Sequence, residues 1–187
     1  PPMELIESIT NQKQLKNLGQ FSKQEKPQFD YIATQGPLQT TIHDFWRMVV
    51  KEDVNCIVMV TRLVEQRREK CADYFNSTKD VGFNFVNNDI IFTLTEKKIG
   101  DVYEERTFTY VKDEETKTVT HLWFKKWPDH GVPDSKHFME LLQKFNELRM
   151  KNPDTFKPLV HCSAGVGRTG TFIVLDHILY DKKGDVR

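Results

Sequence analysis

A cysteine and an arginine separated by five residues bound the most chemically loaded stretch of this chain, His161-Cys162-Ser163-Ala164-Gly165-Val166-Gly167-Arg168-Thr169-Gly170. The small residues Ser163, Ala164, Gly165 and Gly167 let consecutive backbone N–H groups, that of Val166 among them, turn inward as an anion nest. A helix that starts there adds its N-terminal N–H groups and the positive end of its dipole. Arg168 can take two oxygens of one phosphate in a fork that lysine cannot reproduce. The same positive surroundings act on Cys162, because sites of this kind lower a thiol pKa to roughly 3.5–7.5 from about 8.5. The thiol is then ionised at neutral pH without a dedicated base and is ready to attack phosphorus. Thr169 sets a hydroxyl where it can stabilise the thiolate as it departs. A buried core cysteine between strand and helix is the plainer reading. Three glycines and an alcohol around the pair are more than a core turn needs.

The elements that must position this loop are legible on both sides of it. Pro158-Leu159-Val160-His161 reads as a short strand, and the apolar segment from Thr169 to Tyr180 as a helix. Cys56-Ile57-Val58-Met59-Val60 is a continuous β-prone run, the pattern of a strand buried on both faces. Residues 30–34 read as another strand, stopped by Gly36-Pro37. Thr41 is placed to cap a helix carrying Ile42, Phe45, Trp46 and Val49 on one face. Residues 83–95 suggest a hairpin around Asn87-Asn88. The segments 103–111 and 117–124 alternate like strands, with Phe108/Tyr110 and Val119/His121/Trp123 each sharing a face. Residues 134–150 form the clearest amphipathic helix, its stripe Phe138, Leu141, Leu142, Phe145 and Leu148, with Asp134 or Ser135 as cap. Residues 1–30 are polar, with Leu5, Ile6 and Ile9 hinting at one short helix. The expected fold is α/β, a central twisted mixed sheet flanked by helices.

Composition narrows the classes. At 187 residues, 38% hydrophobic and 29% charged, the chain is long enough to bury a sizeable core. Lys+Arg and Asp+Glu balance at 27 each, which argues against nucleic acid as a partner. No apolar run reaches membrane-spanning length and no signal peptide opens the sequence. The three cysteines, Cys56, Cys71 and Cys162, are too few and scattered for a disulfide framework. No Cys/His spacing suggests a metal, and no cofactor is expected. A cytoplasmic setting follows as the simplest expectation. Asn76-Ser77-Thr78 matches a glycosylation sequon of a kind that arises often by chance.

The loop from His161 to Gly170 is similar to the signature of tyrosine-specific protein tyrosine phosphatases. Further blocks agree in order: Thr34-Gln35-Gly36-Pro37-Leu38, Asp44-Phe45-Trp46, Lys70-Cys71-Ala72-Asp73-Tyr74 and Trp127-Pro128-Asp129-His130-Gly131-Val132-Pro133. The resemblance covers about Tyr31 to Asp181. It implies a cysteine-phosphatase fold and hydrolysis of phosphotyrosine in proteins through a cysteinyl-phosphate. Asp129, which in isolation is an ordinary turn former, becomes by resemblance the general acid of a mobile loop. Trp127 would anchor that loop, Pro128 and Pro133 stiffen it, and Gly131 let it bend. Glu65 sits in what would otherwise be a solvated charge run, Glu65-Gln66-Arg67-Arg68-Glu69-Lys70. The resemblance pairs it with Arg168 and puts Lys70 in the same supporting loop. His161 is expected to tune the nucleophile through hydrogen bonds. Cys56 and Cys71 are expected to be structural, and His43, His121, His130, His137 and His177 to have no role.

The departures set their own expectations. Family members carry, ahead of the Thr34 block, a Tyr that stacks on the substrate ring and an Asp that holds its backbone; residues 1–30 show neither. The family continues beyond a point corresponding to Arg187 with helices and a Gln motif that positions the hydrolytic water. Tyr74-Phe75-Asn76 stands where Tyr-Trp-Pro is usual. The organisation expected is therefore a divergent segment 1–30 and a partial catalytic domain 31–187. Phosphoryl transfer to Cys162 would persist, breakdown of the phosphocysteine would be slow, and Phe172, Ile173, Leu175, Ile178 and Leu179 would lie uncovered. The alternatives are a phosphotyrosine-binding pseudophosphatase with little turnover, or an incomplete product. A dual-specificity or lipid phosphatase shares the Cys-x5-Arg spacing but not the Thr34 and Trp127 blocks.

Overall fold

The apolar run at Cys56–Met59 is an interior strand, third in order, of a seven-stranded sheet and is buried along its whole length. The computed structural model describes residues 31–128 and 131–180. Nine strands are described: β1 Ile32–Thr34, β2 Cys56–Met59, β3 Val64–Glu65, β4 Arg68–Glu69, β5 Asn84–Asn87, β6 Ile90–Ile99, β7 Tyr103–Lys112, β8 Glu115–Phe124 and β9 Pro158–His161. Three α-helices accompany them: α1 Ile42–Lys51, α2 Ser135–Lys151 and α3 Gly167–Tyr180. The sheet order is β1-β9-β2-β8-β7-β6-β5; β3 and β4 pair separately. The strands from β1 to β8 in that order run parallel, and β8-β7-β6-β5 are antiparallel, so the sheet is mixed.

Alternation along β2 divides the core. Cys56, Val58 and Val60 join Val160 and the apolar faces of α2 and α3 on one side. Ile57 and Met59 face α1 and the aromatic cluster of Trp46, Phe92 and Phe108 on the other. Of the five stripe residues of α2, Leu148 is half-buried, and Phe138, Leu141, Leu142 and Phe145 are fully buried. Each such side chain contributes about 1.5–3 kcal/mol through burial. Asp134 caps this helix, its carboxylate accepting from the His137 N–H at 3.0 Å.

Three local expectations need correction. Thr41 stands at the N-cap position of α1, but its side chain makes no cap bond there; its hydroxyl accepts from the Leu38 N–H at 2.9 Å, inside the preceding 3-10 turn. The first hairpin turns one residue later than expected, at Asn88-Asp89, both with positive φ. Asx residues tolerate that conformation, and its twist suits a two-residue turn. The last helix begins at Gly167, so Arg168 and Thr169 lie in its first turn. Of the α3 residues expected to be uncovered, Phe172 and Leu175 are core residues, Ile173 and Leu179 are half-buried, and Ile178 is exposed, as is Val174. The short helix suggested near Leu5 falls outside the described residues.

A buried polar knot ties α2 and α3 to the start of the sheet. Arg149 on α2 pairs with Asp176 on α3, both almost fully buried, and donates to the Tyr31 hydroxyl at 3.0 Å. Tyr31 also donates to Asp176. Burial, then the neighbouring Asp176 charge, pushes the Tyr31 phenol up so that it stays neutral. Removing one partner of such a pair strands the other charge in the core. Asp176→Ala is expected to lower unfolding stability by about 3–5 kcal/mol in urea titration. A loss below about 1 kcal/mol would show that Arg149 relaxes to solvent without cost.

Candidate active site

Strand β9 delivers Cys162 to the carboxyl end of the parallel strands, and α3 starts five residues later. Between them the chain coils around the sulfur. The Gly165 N–H points at Cys162 Sγ at 3.2 Å. Gly165 adopts φ +78°, and a Cβ there would stand 2.6 Å from the Thr34 carbonyl. Only glycine suits both the backbone conformation and the approach. Gly36 braces the loop from the same side: its N–H donates to the Ser163 carbonyl at 2.9 Å, and a Cβ would fall 2.7 Å from the Cys162 oxygen. The Thr34-Gln35-Gly36 block is thus the wall against which the loop is moulded.

Burial alone would raise the Cys162 thiol, but hydrogen bonding to the sulfur lowers it below its ordinary value. The groups responsible are the Thr169 hydroxyl and the backbone N–H groups of Thr169, Gly165 and Val166. The Thr169 Oγ1 is buried and makes no well-formed bond to any other group. Its rotor is free to turn the hydroxyl proton to the Cys162 sulfur. The other two cysteines behave oppositely. Burial pushes Cys56 up, and Cys71 up to about 12, so both remain neutral thiols.

Arg168 is held from below in a fork. Its Nη1 and Nη2 donate to Glu65 Oε1 and Oε2 at 2.6 and 2.9 Å. Glu65 is only 5% exposed, so the charge run from which it comes is not uniformly solvated. The cause is local: Gln66 and Arg67 take positive φ and form a tight turn between β3 and β4, folding Glu65 inward. Burial opposes the Glu65 charge, but Arg168 and the Arg62 N–H hold its pKa below the usual range. Thr61, which sequence reasoning overlooked, donates to Glu65 Oε1 at 3.3 Å and accepts from Arg168 at 3.4 Å. A threonine one residue past an apolar strand gives no signal of such a role.

Trp127 and Pro128 converge on the same guanidinium. The Arg168 guanidinium carbon lies 5.9 Å from the Trp127 ring centre, and Nη2 reaches the Pro128 carbonyl at 3.4 Å. Trp127 is buried edge-on against Phe138 and donates to the Gly131 carbonyl at 3.3 Å, tying the two ends of its loop together. Asp129 and His130 lie outside the described residues. Lys70 is half-buried, and its N–H bonds the Leu63 carbonyl at 2.8 Å. His161 is fully buried and contacts the Cys162 carbonyl at 3.0 Å. Ser163 is half-buried; Ala164 and Val166 are exposed at the loop's outer rim. The structure therefore brings Cys162, Gly165, Arg168, Thr169, Glu65, Trp127 and His161 into one constellation. Among the described residues no cluster of three or more His, Cys, Asp or Glu could hold a metal ion.

A parallel-strand terminus bearing a cysteine, loop N–H groups turned toward its sulfur and a clamped arginine has the make-up of a cysteine-based oxyanion site. Comparison with known proteins agrees with that class. The protein-tyrosine phosphatase family model matches residues 19–185, and the chain belongs to that family. The match begins at residue 19, ahead of the Tyr31 start of the resemblance in the sequence. The chain is 41% identical over 157 residues to the human receptor-type tyrosine-protein phosphatase eta, covering 81% of this chain and 11% of the relative. It is 42% identical over 169 residues to the Caenorhabditis elegans tyrosine-protein phosphatase Lar-like, covering 87% and 7%. The mouse receptor-type tyrosine-protein phosphatase C shares 41% over 153 residues, covering 80% and 12%. The chain thus spans only a small part of the length of these relatives. No described helix is long and apolar enough to cross a membrane.

Proposed function

We propose that this chain hydrolyses phosphotyrosine in proteins through a cysteinyl-phosphate. The observation that carries the reading is the Cys162 sulfur, met by the Gly165 N–H at 3.2 Å in the loop that leads into the helix bearing the Glu65-clamped Arg168. In the first step the Cys162 thiolate attacks phosphorus and the bond from phosphorus to the tyrosine oxygen breaks. Asp129 gives its proton to the departing phenoxide. In the second step a water attacks the phosphocysteine, Asp129 takes its proton, and the sulfur leaves as thiolate beside the Thr169 hydroxyl. Arg168 and the loop N–H groups of residues 163–168 stabilise the equatorial oxygens throughout. Glu65 keeps Arg168 in its gripping orientation, Lys70 supports the same loop, and Trp127 anchors the Asp129 segment. The partners are phosphotyrosine-bearing proteins, and a reducing cytoplasmic setting suits a reactive thiolate.

The test is phosphate release from a phosphotyrosine peptide and from its phosphoserine counterpart. Hydrolysis confined to the phosphotyrosine peptide is expected. Its kcat/KM should rise with pH as the thiol ionises, with a midpoint below the ordinary thiol value. Binding of the phosphotyrosine peptide with no phosphate released would favour a substrate trap instead.

A further inference from the structure

Behind the phosphate loop three buried side chains stand in a file that ends on its backbone. His161 Nδ1 lies 3.0 Å from the Cys162 carbonyl oxygen. Tyr74 Oη lies 2.7 Å from His161 Nε2 and 2.8 Å from His121 Nε2. Tyr74, His121 and His161 are all almost wholly buried.

Simple proton counting fixes the direction of every bond. A carbonyl only accepts, so His161 carries its proton on Nδ1 and donates it. Burial holds His161 down to about 4, so it is neutral and its Nε2 has only a lone pair. Tyr74 has one O–H proton, which that lone pair must receive. The second contact of Tyr74 is then an acceptance, and His121 must carry its proton on Nε2. His121 is also kept neutral, by burial first and then by Arg106, its cross-strand neighbour on β7. Its remaining Nδ1 is buried and without a hydrogen-bond partner, as an unprotonated acceptor would be. Phe75 stacks on the His121 ring, centroids 4.5 Å apart, and fixes its plane. The other titratable or charged groups facing the file are Cys71, Asp73 and Arg106 around Tyr74.

We propose that His121 is a positioning residue for the phosphate loop, setting through Tyr74 and His161 the donor that draws charge from the Cys162 carbonyl. Each donor in the file polarises the next, so the bond that reaches the carbonyl is stronger than an isolated imidazole would make. With less negative charge on its own carbonyl, Cys162 holds its thiolate more readily. The inference rests on Cys162 being the nucleophile.

Two measurements test it without requiring turnover. Nitrogen–proton correlation spectra of histidine-labelled protein should place the proton of His121 on Nε2 and that of His161 on Nδ1. The opposite assignment at either ring overturns the proposal. The second is the pH dependence of Cys162 alkylation by iodoacetamide, with Cys56 and Cys71 un-ionised. H121L should move the midpoint up by roughly half a pH unit, about threefold slower alkylation on the acid side. H121Q keeps an N–H donor and should restore most of it. In Y74F, whose ring no longer links the two histidines, adding H121L should produce no further shift. An unchanged midpoint in H121L, a shift in H121Q as large as in H121L, or a shift that persists in Y74F overturns it. If H121L does not fold, the tautomers and H121Q still decide. Wild-type protein that is alkylated as expected yet releases no phosphate counts against the proposed activity and not against His121.

Discussion

Cys162→Ser is expected to cut phosphotyrosine hydrolysis by roughly ten-thousandfold or more while leaving phosphopeptide binding in place. The reason is the difference between a group that binds and one that reacts. A serine hydroxyl is scarcely ionised at neutral pH, and the amide loop that ionises a thiol does not ionise an alcohol. Substrate recognition does not need the sulfur: the Gly165 and Val166 N–H groups, the helix terminus and the Arg168 fork all remain. The substitution replaces one small side chain with another in a buried position, so the fold is retained. Steady-state kinetics and calorimetric titration with the same phosphopeptide check both halves. Residual turnover within tenfold of wild type would contradict the nucleophilic role. Loss of binding together with activity would place Cys162 in recognition instead.

The second large effect is expected at the arginine and its clamp. Arg168→Lys keeps the charge but loses the planar fork, so it cannot hold two phosphate oxygens and Glu65 at once. Removing a donor aimed at developing charge costs about a hundred- to a thousandfold in kcat. Glu65→Gln tests the clamp alone. The guanidinium keeps Thr61, the Pro128 carbonyl and the Trp127 face. The amide has a single acceptor oxygen, so one of the two bonds of 2.6 and 2.9 Å that fix its plane is lost together with the carboxylate charge. A small displacement of a catalytic group costs roughly a hundredfold. The loss in Glu65→Gln should therefore approach that in Arg168→Lys, and the double variant should fall well short of the product of the two. Additive losses would mean that Glu65 acts on the site by a route other than Arg168. Unchanged kcat/KM in Glu65→Gln would mean that the clamp is dispensable.

Several of these features could be seen in the residues beforehand. The run Cys56–Met59, the stripe on α2 and the body of α3 follow from patterns set by residues within four positions of one another. The loop itself is local chemistry: glycines, a thiol and a guanidinium within ten residues. Glu65 was legible only through resemblance, because the turn that folds it inward sits in a segment whose composition reads as solvent-facing. Gly36 and Tyr74 were legible only as members of the resembling blocks, and Thr61 and His121 gave no signal. Their contacts join distant segments: Arg168 reaches Thr61 across 107 positions, and Tyr74 reaches His161 across 87. His121, dismissed for want of ligand-like spacing, shows why: a histidine that holds a hydrogen bond needs no spacing at all. Thr41, though at the N-cap position of α1, makes no side-chain cap bond for a related reason. A threonine hydroxyl serves whichever N–H the local turn offers, and here that was Leu38.

The most direct test is to mix protein with excess phosphotyrosine peptide, quench in acid on the millisecond scale, digest, and locate phosphate by mass spectrometry. Phosphate is expected on the peptide containing Cys162, appearing with the released tyrosine and absent from Cys162→Ser. Hydrolysis that proceeds with no phosphate on Cys162 at any time, or with phosphate on another residue, would contradict a cysteinyl-phosphate pathway.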